Sequence, residues 1–172
     1  MPRSLVPDRQ FSTYLDLTPA ILREEGVRAL LLDVDNTLAP YEQSEPDDAL
    51  RAWLHALEEA GIAVALVSNN HGSRLTRFNR TLGLPAFSHA CKPLRRGVRR
   101  ALAALGAKPG ETALLGDQIF TDVGAARRAR LARAYTVPPI HDKRDLFTRF
   151  KRLCERPIYR AYRKQNEKEQ SK

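Results

Sequence analysis

Short apolar runs alternate with longer amphipathic stretches along this chain. The runs at 28–32, 62–67, 112–115 and 135–137 are too short for a helix of ordinary length and predict strands. Between them, Leu50, Trp53, Leu54 and Leu57 recur at helical spacing, which predicts a helix ending near residue 60 with that face on the sheet. Ser44, with Asp47 three residues later, predicts its cap. Thr18 and Pro19 read as the cap and first turn of an earlier helix, and Gly26 as its end. Further helices are expected at 73–82, 94–105 and 123–131, with a short extended piece near Phe87. In the second of these, Val98, Leu102 and Leu105 share a face that Arg95, Arg96, Arg99 and Arg100 mostly avoid.

Strands alternating with helices imply an α/β fold, a parallel sheet sandwiched by helices. Ligands of such sheets bind beyond the carboxyl ends of the strands. The residues there are polar. The first run leads into Asp33-Val34-Asp35-Asn36-Thr37-Leu38, the second into Ser68, Asn69 and Asn70, the third into Gly116 and Asp117, with Asp122 five residues on. Lys92 and Pro93 open a helical stretch between the last two. Side chains two apart on a strand point the same way, so Asp33 and Asp35 leave a buried strand on one side. Paired carboxylates there are costly unless a cation lies between them, and a divalent metal with a phosphate beyond it satisfies that need.

Composition narrows the classes. The 172 residues are 42% hydrophobic, enough for one domain with a normal core. The expected boundaries are a domain at 1–163, including an N-terminal helix and a basic C-terminal helix, and a disordered basic tail at 164–172. Two cysteines, Cys91 and Cys154, make neither a disulfide framework nor a metal site and suggest a reducing compartment. Cys91 is expected as a small buried filler and His71 as an exposed loop residue. Residues 1–10 lack the apolar core of a signal peptide, and no run approaches the ~20 residues of a membrane-spanning helix. The net charge is +9, and the last thirty residues hold eleven Lys or Arg against four Asp or Glu. Such an end can seek nucleic acid, anionic lipid or an acidic partner.

The motifs together resemble those of the haloacid dehalogenase-like (HAD) superfamily, in the same order and each after an apolar run. The resemblance implies a Rossmannoid sheet and phosphoryl transfer through an aspartyl-phosphate. It assigns the nucleophile to Asp33 and the acid and base steps to Asp35, a choice that composition alone does not make. Mg²⁺ would be held by the side chains of Asp33 and Asp117 and the backbone carbonyl of Asp35. Asp122 would either order the metal shell or pair with Lys92. Ser68 and Lys92 would hold the phosphoryl oxygens, with Thr37 and the Asn69 backbone assisting.

The intervals 39–61 and 71–91 each have room for about one helix, so no cap domain is expected and the site should be open. An open site suits a phosphate projecting from something large. Four segments sharpen the resemblance to the YqeG-type branch of subclass IIIA, related to phosphatidylglycerophosphate phosphatase: the opening "VPDRQFSTYLDLTPAILREEGVRALLLDVDNTLAPY", "VSNN", "LLGDQIFTDV" and "VPPIHDKRDLFTRFKRLCERPI". Gln118 and Thr121 are especially characteristic. The chain departs from that branch after Val123. Gly124, Ala125 and Ala126 precede Arg127 and Arg128 where the family usually has Gly, Asn and Arg, and the usual glycine before the last strand is missing. Arg127 or Arg128 is left to supply positive charge there.

The branch implies a cytoplasmic enzyme, peripheral on the inner face of the membrane, that converts phosphatidylglycerophosphate to phosphatidylglycerol. Leu146, Phe147, Phe150, Leu153 and Cys154 form a stripe expected to pack on the domain rather than enter lipid. Two alternatives stand beside this reading. One is the same chemistry on a nucleotide, a sugar phosphate or an RNA-end phosphate. The other is a basic module that binds RNA or the ribosome, which the clustered arginines support only weakly because few aromatic residues are present for base stacking.

Overall fold

The computed structural model describes residues 5–141 together with Ile158 and Tyr162. In chain order the elements are β1 (Arg9–Gln10), α1 (Pro19–Glu24), β2 (Ala29–Leu32), α2 (Asp48–Glu59) and β3 (Ala63–Val67). They continue with α3 (Gly72–Asn79), β4 (Ala86–Phe87), α4 (Arg96–Leu105), β5 (Thr112–Gly116), α5 (Gly124–Ala129) and β6 (Arg133–Thr136). The strands form one parallel sheet in the order β1-β6-β5-β2-β3-β4. The expected C-terminal helix, its apolar stripe and the tail from Lys164 lie outside the described residues, apart from Ile158 and Tyr162.

Alternation along the strands divides the core between the two faces. Leu30 and Leu32 of β2 join Val64, Leu66, Ala113 and Leu115 against the buried faces of α2 and α3. Leu31 joins Ala65, Val67 and Leu114 against α4 and α5. Leu50, Trp53, Leu54 and Leu57 are all buried, as their spacing predicts. Trp53 donates its indole N–H to the Leu17 carbonyl (2.9 Å), tying the N-terminal segment to α2.

Several boundaries differ from the sequence reading. Asp47, not Ser44, caps α2, its carboxylate accepting the Leu50 N–H at 2.8 Å. Pro46 disfavours helical geometry in the residue before it, so the helix cannot start until Pro46 is passed. α4 begins at Arg96 because 92–95 turn first, with the Leu94 N–H donating to the Cys91 carbonyl (2.7 Å). A π-helical turn at Ile119–Val123 precedes α5, and Arg130 closes α5 in the left-handed region (φ 60°), where glycine is usual. β1 is new: two exposed residues pair with β6, and the Asp8 carboxylate accepts the Ala134 N–H at 2.6 Å. Cys91 is exposed rather than a buried filler. His71 is exposed as expected, at the start of α3.

Glu25 ties the end of α1 to the outer strands. It accepts from Arg9 (3.1 Å), Arg133 (2.7 Å) and the Tyr135 hydroxyl (2.8 Å). Burial opposes its charge, but the bonds from Tyr135, Arg133 and Arg9 outweigh burial and hold the carboxyl below its usual range. A depressed acid contributes stability above its unfolded-state value, and that contribution is lost as pH falls through the folded one. Glu25→Gln should therefore cost about 1–2 kcal/mol at pH 7, discounted for partial exposure of both arginines. Urea unfolding at pH 7 and at about pH 3.5 tests this: the gap between variant and wild type should close at the acid end.

Candidate active site

Register sets the site. Leu32 lies level with Leu66 on one side and Leu115 on the other, so the chain leaves β2, β3 and β5 at one edge. Asp33 remains in the sheet's bonding pattern, donating its N–H to the Leu115 carbonyl (3.0 Å). The hexad then folds back in a tight loop. Asn36 takes the left-handed region (φ 63°), and the N–H groups of Leu38 and Ala39 donate to the Val34 carbonyl. This turn keeps Asp33, Thr37 and Leu38 buried at the strand end.

Lys92 is the hub. Its ammonium lies 2.6 Å from Asp33 Oδ1 and 2.7 Å from Asp122 Oδ1, with the lysine and both acids buried. Asn69 fixes the loop that carries it. The amide accepts the Lys92 N–H (2.7 Å) and donates to the Lys92 carbonyl (2.9 Å), so its side chain is the structural contact at this position. Asp122 Oδ2 accepts the Gln118 backbone N–H (3.1 Å) and the Thr121 hydroxyl (3.3 Å); the second accounts for Thr121 in the π turn. A Cβ at Gly116 would fall 2.3 Å from the Asp122 carboxyl carbon, so only glycine lets that carboxylate fold over the end of β5. Thr37 reaches Asp33 Oδ2 weakly, at 3.5 Å.

Asp35 faces other partners. It accepts from the Ser68 hydroxyl (3.3 Å) and the Asn70 side-chain amide (3.2 Å), while Arg74 Nε pairs with its other oxygen at 2.5 Å. The remaining Arg74 nitrogens donate to the carbonyls of Gln43 (2.8 Å) and Pro40 (3.0 Å). Arg74 thereby clamps Asp35 to the loop after the hexad. Sequence reasoning passed over Arg74, which looks like any polar residue of an amphipathic helix. Its position in the first turn after the β3 strand end was the available signal.

Burial governs the electrostatics. It pushes the Asp33 carboxyl up to about 7, against the pull of Lys92 and with the push of Asp122 and Asp35. It lifts Asp117 to about 8, helped by the negative charges of Asp33 and Asp122. Burial disfavours the Lys92 charge too, but Asp122 and Asp33 outweigh it and hold the ammonium above the usual lysine range.

One ammonium does not balance this set. Asp33, Asp117 and Asp122 bring carboxylate oxygens within 4.8 Å of one another. Asp117 Oδ1 is buried without a hydrogen-bond partner among the described residues. A surplus of hard oxygen donors with an orphaned lone pair fits a small divalent cation. Residues 39–61 contain α2, and residues 71–91 contain α3 and β4, so neither interval carries an inserted domain. Among the described residues, no helix is long and apolar enough to cross a membrane.

Comparison with known proteins agrees with this geometry. The family model for haloacid dehalogenase-like hydrolases matches residues 13–130, and the chain belongs to that family as a phosphatase. Within it the chain is of the YqeG type. It is 30% identical over 164 residues to the probable phosphatase YqeG of Bacillus subtilis, covering 95% of each chain. Among solved structures it resembles an uncharacterized protein from Listeria monocytogenes (TM-score 0.55, 16% identity, 69% of this chain and 85% of that one). It also resembles the cobalt-bound deoxy-D-mannose-octulosonate 8-phosphate phosphatase of Haemophilus influenzae (TM-score 0.51, 20% identity, 74% and 75%). At these identities the two structures speak to the fold.

Proposed function

We infer that this phosphatase removes the terminal phosphate of phosphatidylglycerophosphate, with Asp33 as nucleophile and Mg²⁺ as cofactor. The observation that carries the chemistry is the buried Asp33 carboxylate, held by Lys92 at the carboxyl edge of the sheet beside Asp117 and Asp122. An attacking carboxylate needs a fixed direction, and the Lys92 contact supplies one. The bond formed joins Asp33 to phosphorus, and the bond broken frees the substrate alkoxide. Asp35 delivers a proton to that oxygen and later takes one from the water that hydrolyses the aspartyl-phosphate. Ser68 and Lys92 donate to the transferring oxygens, where fixed donors act most strongly. Asp33 and Asp117 side chains and the Asp35 carbonyl would hold the metal, which offsets phosphoryl charge when bound.

Support for the lipid is the uncapped site, the resemblance to the YqeG branch and the basic end of the chain. Each Lys or Arg at an anionic surface adds roughly 1 kcal/mol, enough in sum for reversible attachment. The test is phosphate release from phosphatidylglycerophosphate in mixed micelles, a nucleotide panel, a sugar phosphate, a 5′-phosphorylated RNA and an aryl phosphate. The lipid should be preferred. A preferred nucleotide, sugar or RNA end would overturn that substrate, and salt-sensitive RNA binding without any turnover would favour a binding module.

Removing the metal gives a second, independent reading. Chelation should bring turnover to background, and Mg²⁺ should restore it. Without substrate, millimolar Mg²⁺ should stabilise the protein by roughly 1–3 kcal/mol at pH 8 and by much less at pH 5.5. The sign follows from Asp33 and Asp117. Their carboxyls are held up to about 7 and about 8, so at pH 5.5 the metal must displace protons. A melting-temperature shift that ignores pH would argue against metal binding by these carboxylates.

A further inference from the structure

Beside the active site, α4 and α5 frame a groove lined by Leu94, Arg95, Arg96, Arg99, Arg100 and Arg128, with a volume of about 570 Å³. None of its five arginines makes an ion pair among the described residues. Arg100 lies over the Phe87 ring, 5.3 Å from its centroid, which orders the side chain without neutralising it. Other arginines of this chain do find acids: Arg9 and Arg133 pair with Glu25, Arg74 with Asp35, and Arg80 with Glu45.

The placement works against helix stability. Arg95 is the N-cap of α4 and Arg96 its first residue, with no acid in the first turn. The positive end of a helix disfavours cations and favours anions. Crowding unpaired guanidiniums there is compensated when an anion sits among them, and the planar fork of arginine suits phosphate in particular.

The groove begins at the turn that carries Lys92, since Leu94 and Arg95 line it. Arg95 follows Lys92 by three residues. A Cβ at Gly124 would lie 3.0 Å from the Pro93 Cβ and 3.1 Å from Arg128 Nη1, so proline and guanidinium meet over a bare glycine. Arg127 is committed elsewhere, pairing with Asp8 (2.8 Å) and donating to the Val6 carbonyl (2.7 Å). Of the two arginines that the sequence left open, Arg128 faces the groove.

We propose that this groove is a second anion subsite, which holds a further phosphate of the substrate beside the phosphomonoester that is hydrolysed. The proposal rests on the phosphatase reading and narrows it: the enzyme selects molecules with two phosphates, one terminal and one set back. A phosphodiester in a lipid headgroup and the second phosphate of a nucleoside bisphosphate share that chemistry.

The test is calorimetric titration in an Asp33→Asn background, so that ligands stay intact and binding is read without turnover. The probes are a short-chain phospholipid ending in a phosphomonoester, kept below its micellar concentration, a nucleoside 3′,5′-bisphosphate, and the matching monophosphates. The doubly phosphorylated probes should bind about tenfold more tightly than their monophosphates. Arg96→Gln/Arg99→Gln, and separately Arg128→Gln, should erase that preference. Arg28→Gln/Arg77→Gln removes the same charge outside the groove and should keep it. Preference for the lipid probe alone identifies a headgroup; equal preference for both identifies any second phosphate. Either outcome supports the subsite. No preference, or one that survives the groove variants or falls equally in the control, overturns it. Phosphate release from an aryl phosphate by the wild type is scored separately, so failure of the phosphatase reading and failure of the subsite are distinguishable.

Discussion

Asp33→Asn should abolish phosphate release, by roughly 10⁴-fold or more, and leave the fold intact. An amide cannot form the acyl-phosphate, and neither Asp35 nor Asp122 is turned to replace it. Asp35 is turned toward Ser68, Asn70 and Arg74, and Asp122 toward Lys92, Gln118 and Thr121. The amide is nearly isosteric, so Lys92 keeps an oxygen to donate to. Removing this charge should not destabilise the protein, because burial already pushes the Asp33 carboxyl up to about 7. An acid raised in the folded state lowers stability as pH climbs from its unfolded value toward the folded one. The metal-free variant should therefore melt at or above the wild-type temperature at pH 8. Phosphate release together with thermal melting decides the matter. Turnover within tenfold of wild type would remove Asp33 from the nucleophile's role, and lost activity with a collapsed melt would show only misfolding.

The central sheet was legible because β2, β3 and β5 are buried on both faces, which writes them as apolar runs. The site was legible for the same reason: polar residues directly after such runs must gather at one edge. Asp33, Lys92 and the Asp117–Asp122 pair lie far apart in the chain yet converge. What stayed hidden depended on tertiary partners. β1 is two exposed residues with no periodicity to detect, and it exists because β6 offers an edge. Arg74 has only its place in the first turn after β3 to mark it, and its bond to Asp35 depends on how the hexad loop folds back. The cap of α2 required weighing Pro46 against an attractive Ser44–Asp47 spacing. The π turn at Ile119–Val123 follows from the need to aim Asp122 at both Lys92 and its own preceding backbone. Local propensity does not encode that demand.

Lys92→Met should harm both activity and stability, and the two losses should separate with pH. The ammonium is almost fully buried between Asp33 and Asp122. Removing it deletes a donor to the transferring phosphoryl group, a loss of roughly 10²–10³ in kcat. It also leaves buried carboxylates without their cation, which typically costs about 3–5 kcal/mol. Lys92 lowers the Asp33 carboxyl against the push of burial, so in the variant that carboxyl must rise above about 7. Raised acids withdraw stability as pH increases from their unfolded values, so the deficit should be full near pH 8 and shrink toward pH 5, as protons replace the missing charge. Adding Asp122→Asn should recover part of the stability at pH 8 without recovering turnover. Denaturant unfolding of both variants at pH 5 and pH 8 reads this directly. A deficit that is independent of pH, or a double variant no more stable than Lys92→Met, would mean that Lys92 contributes packing rather than charge to this site.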